Sequence, residues 1–180
     1  MRHMQLNGKF KKTTASFRLA KPADTLTLAE IHACSWSAAY KDIIPNEYIK
    51  QKNATRVELW KKSVTDDNSM HYVIEANGTT LGFMSIAAPK DDDVDDSFYE
   101  IHAIYLRPDF FRKGIGTQAV NFAFDEAGKL GKRSVILWVL EDNKNSVMFY
   151  EKCGFAADGK INFRDFGKQM KLIRMRKDLS

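Results

Sequence analysis

The chain has 180 residues, 44% hydrophobic and 28% charged, with a formal net charge of +5. That length and balance describe one globular domain able to bury its own core. They exclude a membrane-spanning class, because no apolar run approaches the ~18–20 residues of a spanning helix. They also exclude a disulfide scaffold, because the sequence has only Cys34 and Cys153. With two cysteines and no secretory h-region, a reducing cytoplasm is the expected compartment. The basic excess is spread out rather than gathered into a stripe, which suits a small anionic ligand and not a nucleic acid.

Residues 1–16 are polar and basic, with Lys9, Lys11 and Lys12, and read as a disordered or tag-like arm ahead of a single domain, 17–180. Residues 17–20 form a short strand, and Pro22-Ala23-Asp24 a turn. Asp24 or Thr27 can cap the helix that follows, and Thr27 to Glu30 has capping-box spacing. That helix runs to about Tyr40. Leu28, Ile31, Ser35 and Ala38 make one face at helical spacing. Trp36 and Tyr40 stand one turn apart on a neighbouring face, where they either fill the core or wall a pocket. Pro45 interrupts, and 46–50 and 56–64 read as two further helical segments.

From Met70 the period changes to two. Residues 71–75 and 80–87 are strands, joined by Asn77-Gly78, a strong type I′ hairpin signal. The loop from Pro89 to Asp96 carries five aspartates. Such a run is usually a solvated tip; the other reading is an acidic lip that attracts a cationic substrate. No glycine or glutamate follows at calcium-loop spacing, so no metal is expected.

The stretch from Phe98 to Gln118 carries the first chemical signal. Residues 98–106 have the β-branched and aromatic content of a strand, ended by Pro108. Arg112-Lys113-Gly114-Ile115-Gly116-Thr117 then opens a helix to about Leu130. Glycines at a loop-to-helix junction let backbone N–H groups approach an anion, and the helix N-terminus adds partial positive charge. A phosphate-bearing ligand at the end of a strand is the reading. After Gly131, residues 134–140 are a nearly unbroken apolar run, as in a strand buried on both faces in a parallel βαβ pairing. Asn143 and Asn145 suit the cap of a short helix, 146–152, with Gly154 at its stop. Two closing strands fall near 155–162 and 168–176, giving a mixed α/β order.

Pro108 to Gly116, taken with Leu137 to Phe155 and its Asn143 and Phe149-Tyr150, resembles the two signature motifs of the GNAT superfamily of acetyl-CoA-dependent N-acetyltransferases. Ile31-His32, Ser35-Trp36, Ala39-Tyr40 and Ile44-Pro45 extend the likeness, as does 167–179. The resemblance implies a mostly antiparallel central sheet of about seven strands flanked by helices, with one parallel βαβ pairing. It implies acetyl-CoA as acyl donor, held along Ile104, Tyr105 and Leu106 by backbone pairing. Phe111, Arg112, Lys113, Gly114, Ile115, Gly116 and Thr117 would lie on its pyrophosphate, and Asn143, Ser146 and Tyr150 on its arm. Phe111 stands where the family prefers Gln or Arg, a departure that main-chain contact tolerates and that Arg112 can offset.

The chemistry needs a base for the acceptor amine and a donor for the leaving thiolate. Glu100 is the candidate base, with His102 in reserve on the same face as Ile104 by period-two counting. Tyr150, a neutral phenol near pH 7, is the candidate acid. Cys153 has no visible base to activate it. The acceptor, a small-molecule amine or a peptide N-terminus, is expected near Trp36, Tyr40 and His102, with Phe163, Arg164 and Phe166 across from them. No nucleic acid or membrane is expected as a partner, and the protein is expected as a monomer or a homodimer. Gly114 to Ala119 also fits a dinucleotide fingerprint, with Glu141 as the ribose acid, but Arg107 to Lys113 separate it from its strand and only one βαβ unit is visible. A CoA-binding regulatory domain without catalysis is the non-enzyme alternative, opposed by the presence of Tyr150 and Glu100.

Overall fold

The computed structural model describes residues 13–66 and 69–179. Among them, seven strands form one sheet: β1 (Ser16–Leu19), β2 (Ser69–Ala76), β3 (Thr79–Ala87), β4 (Phe98–Leu106), β5 (Ser134–Leu140), β6 (Ala156–Asp165) and β7 (Gln169–Asp178). Their order is β1-β2-β3-β4-β5-β7-β6. Neighbours are antiparallel, except that β4 and β5 run parallel. The helices are α1 (Thr25–Tyr40), α2 (Asn46–Ala54), α3 (Arg56–Ser63), α4 (Ile115–Lys129) and α5 (Lys144–Lys152). The mixed sheet with one βαβ unit is the architecture expected from the sequence. One parallel pair in seven strands is also far from the mostly parallel sheet a dinucleotide fold needs.

Local chemistry explains most of the elements. Asn77 and Gly78 both take positive φ, 50° and 75°, as a type I′ turn requires. The capping box expected at Thr27 does not form, because α1 begins two residues earlier. The Asp24 carboxylate is instead taken by Arg18 of β1 through two bonds of 2.8 Å, and Glu30 accepts from Arg107 at 2.8 Å. Of the expected N-terminal arm, residues 1–12 lie outside the described residues. Ala15 N–H donates to Gln118 Oε1 and Gln118 Nε2 donates to the Thr13 carbonyl, both at 2.9 Å, so 13–15 run against α4. The closing strands sit later than the sequence suggests. Phe155 turns into the core at 3% exposure instead of starting β6.

Two layers of helix cover the sheet. Ile115, Ala119, Val120, Ala123 and Ala127 of α4 are buried at helical spacing over one face, against Ile74, Met84, Ile101 and Leu137. On the other face, Leu28 and Ile31 of α1 and Trp60 of α3 pack on Val73 and Phe83. A third cluster joins Trp36, Ile44 and Ile49 to Leu140, Met170 and Leu172, where β5 and β7 end.

Strand β4 decides the shape of the site. It pairs with β5 at only three positions, the last being Glu100 with Ile136. Beyond that point β5 stays with β7 along its whole length and β4 stays with β3, so β4 and β5 part. Residues 101–106 therefore have a strand partner on one side only. The β3 register also slips, with Ser85 opposite Ala103 and Ile86 opposite Ile101, which makes His102 an extra, bulged residue. Tyr99 and Ile101 point to the α4 layer, and so do Ile104 and Leu106, while Ala103 and Tyr105 point to the α1 layer. The expected common face of Glu100, His102 and Ile104 is thus corrected. The bulge reverses the alternation, and Glu100 and His102 share a cavity with Tyr105, not with Ile104.

Gly82 lets β3 lie this close to the end of β4. A Cβ there would fall on the Tyr105 carbonyl oxygen and within 2.5 Å of Leu106 Cδ2.

Candidate active site

The open side of β4 is the first component. Residues 104–106 present main-chain groups toward the gap left by β5, a ready edge for an extended chain. Leu106 is partly committed, since its carbonyl accepts from the buried Ser35 hydroxyl of α1.

The loop to α4 is the second. Pro108–Phe110 make a 3₁₀ turn, Arg112 takes φ 58° and Gly114 takes φ 76°. These left-handed residues turn the chain so that α4 starts abruptly at Ile115. Among the described residues no side chain caps α4, which leaves the N–H groups of its first turn without an intrahelical partner. By contrast, α5 is capped by Asn143, whose Oδ1 accepts from Ser146 N–H at 3.1 Å. The two glycines do different things. Gly114 supplies the turn. Gly116 is small because the Phe149 ring of α5 lies against it, 3.1 Å from where a Cβ would stand. Phe111, Arg112, Lys113 and Thr117 are exposed around this helix start.

The third component is a cavity of about 600 Å³ on the α1 side of β4. Trp36, Tyr40, Glu100 and His102, expected on the acceptor side, line it together with Tyr105, expected instead along the donor arm. Trp36 and Tyr40 form an edge-on aromatic pair with centroids 5.4 Å apart. Both are core residues as well as wall, being packed in the third cluster. Trp36 Nε1 donates to the Tyr105 hydroxyl at 3.1 Å.

Glu100 is 8% exposed, and burial, helped by Asp91, pushes its carboxyl up to about 7. His102 Nε2 stands 3.5 Å from Glu100 Oε2. Burial, and the cations Lys90 and Arg164 close by, lower the His102 imidazole, so it is neutral in the physiological range. Tyr150 does not line the cavity; its ring packs with Phe149 and Phe155, centroids 5.0 and 5.8 Å away, against the core on the α4 side. Burial and the phenol of Tyr40 raise its hydroxyl well above 10, so it holds its proton. Cys153 is also raised by burial, which keeps it a thiol.

Two features go beyond the sequence reading. In the aspartate loop, Asp92, Asp93, Asp95 and Asp96 are exposed, as in a solvated tip, and Asp91 lines the cavity, but the loop is also tied to the sheet. Arg174, 4% exposed on β7, donates to both Asp93 oxygens at 2.8 Å and to Asp158 at 2.7 Å. Asp91 accepts from Trp138 Nε1 at 3.2 Å, and Asp95 caps Ser97 at 2.8 Å. The loop is tied down through Asp91, Asp93 and Asp95, while Asp92 and Asp96 stay exposed. The second feature is Arg56, which lines the cavity yet has no motif around it. An arginine beside Val57 and Trp60 in a short helix gives only a faint hint of burial. His32 lines the cavity too, stacked on Tyr105 with centroids 4.9 Å apart and held neutral by burial, its pKa lowered to about 3.

The profile of the Acetyltransferase (GNAT) family matches residues 28–155. An uncharacterized N-acetyltransferase of Methanocaldococcus jannaschii is 35% identical over 118 residues, 65% of this chain and 51% of that protein. The chain therefore spans about half the length of that relative. The uncharacterized N-acetyltransferase YuaI of Bacillus subtilis is 28% identical over 157 residues, 87% of this chain and 88% of its own. Among solved structures, the PaiA N-acetyltransferase of Thermoplasma acidophilum, in complex with coenzyme A, superposes with a TM-score of 0.73 at 23% identity. That match covers 92% of this chain and 99% of the other, and it is a likeness of fold.

Proposed function

The chain belongs to the GNAT family of acetyltransferases, and we propose that it moves an acetyl group from acetyl-CoA to the primary amine of a small molecule within one ternary complex. The donor brings an acyl group already activated as a thioester. The residues present fit it. The one-sided edge at Ile104, Tyr105 and Leu106 suits an extended amide-bearing arm. The uncapped start of α4, with Arg112 and Lys113 beside it, suits a pyrophosphate. Phe111 in place of a polar residue leaves that main-chain contact intact. Asn143 and Ser146, at the start of α5, complete the set.

The observation that carries the reading is Glu100. It is a buried carboxyl titrating at about 7, inside the cavity, at the last residue before β4 leaves β5. One strand thus carries the base on its α1 face and the open edge just beyond it. Glu100 takes the proton that the acceptor ammonium must lose before it can attack, directly or through a water. The neutral His102 3.5 Å away adds no competing charge. Tyr150 keeps its hydroxyl proton through neutral pH, and we assign it the protonation of the departing thiolate.

Thiol release from acetyl-CoA, followed with and without a panel of amines, tests the function. Release that depends on an amine, with the N-acetyl product identified by mass, is the expected result. Release independent of any amine, or no release, refutes it.

A further inference from the structure

Arg56 is a buried cation without a counter-ion, and it faces the acceptor cavity. It is the first residue of α3 and 8% exposed. Its guanidinium lies over the Trp36 ring, 4.6 Å from the centroid. That contact uses the π face and satisfies no N–H. Nε and Nη2 are buried with no hydrogen-bond partner. Among the described residues no carboxylate pairs with it, and the groups that act on it are the phenols of Tyr48 and Tyr105. Burial lowers the Arg56 pKa, but a guanidinium starts so high that it stays charged. A buried charged fork left unmet is costly, and proteins rarely keep one without a use.

The rest of the cavity wall sharpens this. It carries three cations, Arg56, Lys90 and Arg164, against two carboxyls, Asp91 and Glu100. Asp91 is engaged by Trp138 and lies 3.9 Å from Arg174. Glu100 is half protonated near pH 7. The cavity also has two poles. The cations that act on Glu100 are Arg164, Lys90 and Arg174, whereas Arg56 acts on His32. An acceptor can therefore set an amine toward Glu100 and another group toward Arg56. A second ammonium there would meet a fixed positive charge. A carboxylate would meet the charged guanidinium at Nη1, since Nε and Nη2 are closed off by burial.

The geometry points to an acceptor that carries a carboxylate beside its amine, as an amino acid does, with Arg56 as the residue that reads it. This rests on the acetyl-transfer function above and narrows its acceptor. The aromatic wall of Trp36, Tyr40 and Phe166 leaves room for an apolar side chain between the two poles.

The test uses the full chain, acetyl-CoA, and matched acceptors: L-phenylalanine, L-leucine and L-methionine, each beside its amide and its decarboxylated amine. The acid member is expected to lead each set by about tenfold or more in kcat/KM, mainly through KM, since a site built to bond a group rejects the analogue lacking it. In Arg56→Gln that ratio collapses toward one, and Arg56→Lys restores part of it. Melting temperatures are recorded beside the kinetics, and the lysine variant keeps the stem and charge should the glutamine variant fold poorly. Amides and plain amines turned over as well as the acids would leave acetyl transfer standing and overturn the carboxylate assignment. If no amine releases CoA, acetyl transfer itself fails, and calorimetry with L-phenylalanine decides Arg56 separately. Binding to wild type that weakens in Arg56→Lys then upholds the anion site, and no binding to wild type removes it.

Discussion

Replacing Glu100 by Gln separates the cost of burying that carboxyl from its use. The shape is kept and one charge is removed. Burial lifts the Glu100 pKa from its usual 4.5 to about 7. At ~1.36 kcal/mol per pKa unit, that rise withholds about 3 kcal/mol of folding stability once the group is ionised. The folded state binds this proton more tightly than the unfolded chain. The contribution is therefore fully favourable below pH ~4.5 and is lost as the pH climbs through about 7. Glu100→Gln should then match wild type in stability near pH 4.5 and become progressively more stable than wild type up to about pH 8. For a domain of this size each kcal/mol moves the melting temperature by about 2–4 °C. Activity should move the other way. Wild-type kcat/KM should rise with pH to a plateau above about 7, and the variant should lose that limb together with ~10²–10⁴-fold in rate. Scanning calorimetry across pH and a pH–rate profile read the two effects. A variant no more stable than wild type at pH 8 would show that Glu100 is not desolvated. A variant with the same rising limb would move the base to His102 or to a water path.

Two further substitutions address the other parts of the site. Tyr150→Phe deletes one hydroxyl and little packing, so CoA affinity and melting temperature should hold while kcat falls by ~10²–10⁴-fold; wild-type kcat on a good acceptor would make Tyr150 a packing residue. Gly82→Ala places a methyl on the Tyr105 carbonyl and Leu106 Cδ2, which should cost ~1–3 kcal/mol by urea unfolding. It should also weaken CoA binding by calorimetry, because β4 shifts at the open edge, and unchanged values of both would show that the β3–β4 contact is slack.

Features encoded within a few residues are legible in the sequence. Asn77-Gly78 announces its own turn, because two consecutive positive φ values need that chemistry. The glycine loop before α4 and the asparagine at the start of α5 are likewise local, and both stand where the spacing puts them. Trp36 and Tyr40 are readable as a pair, since one helical turn is a fixed distance. Features made by distant partners are not legible. The aspartate loop is solvent-facing as its composition suggests, but its tie to Arg174, 81 residues from Asp93, leaves no local trace. Arg56 reads as an ordinary helix residue until α1 sets Trp36 against its guanidinium.

The deeper failure of period-two counting lies at His102, and it is also what makes the site. Regular alternation along β4 would put Glu100, His102, Ile104 and Leu106 on one face. The Glu100 carboxyl and the apolar residues of the open edge would then compete for one layer. With one residue bulged out, Glu100, His102 and Tyr105 face the α1 cavity, while Ile104 and Leu106 anchor the same strand in the α4 core. The loss of β5 as a partner comes at the same point, immediately after Glu100. A buried carboxyl, an anchored strand and an unpaired edge thus occupy seven consecutive residues, 100–106. Removing the bulge would turn the side chains after it to the opposite faces. Tyr105 would leave Trp36 and Tyr40, and Ile104 would enter the cavity in its place.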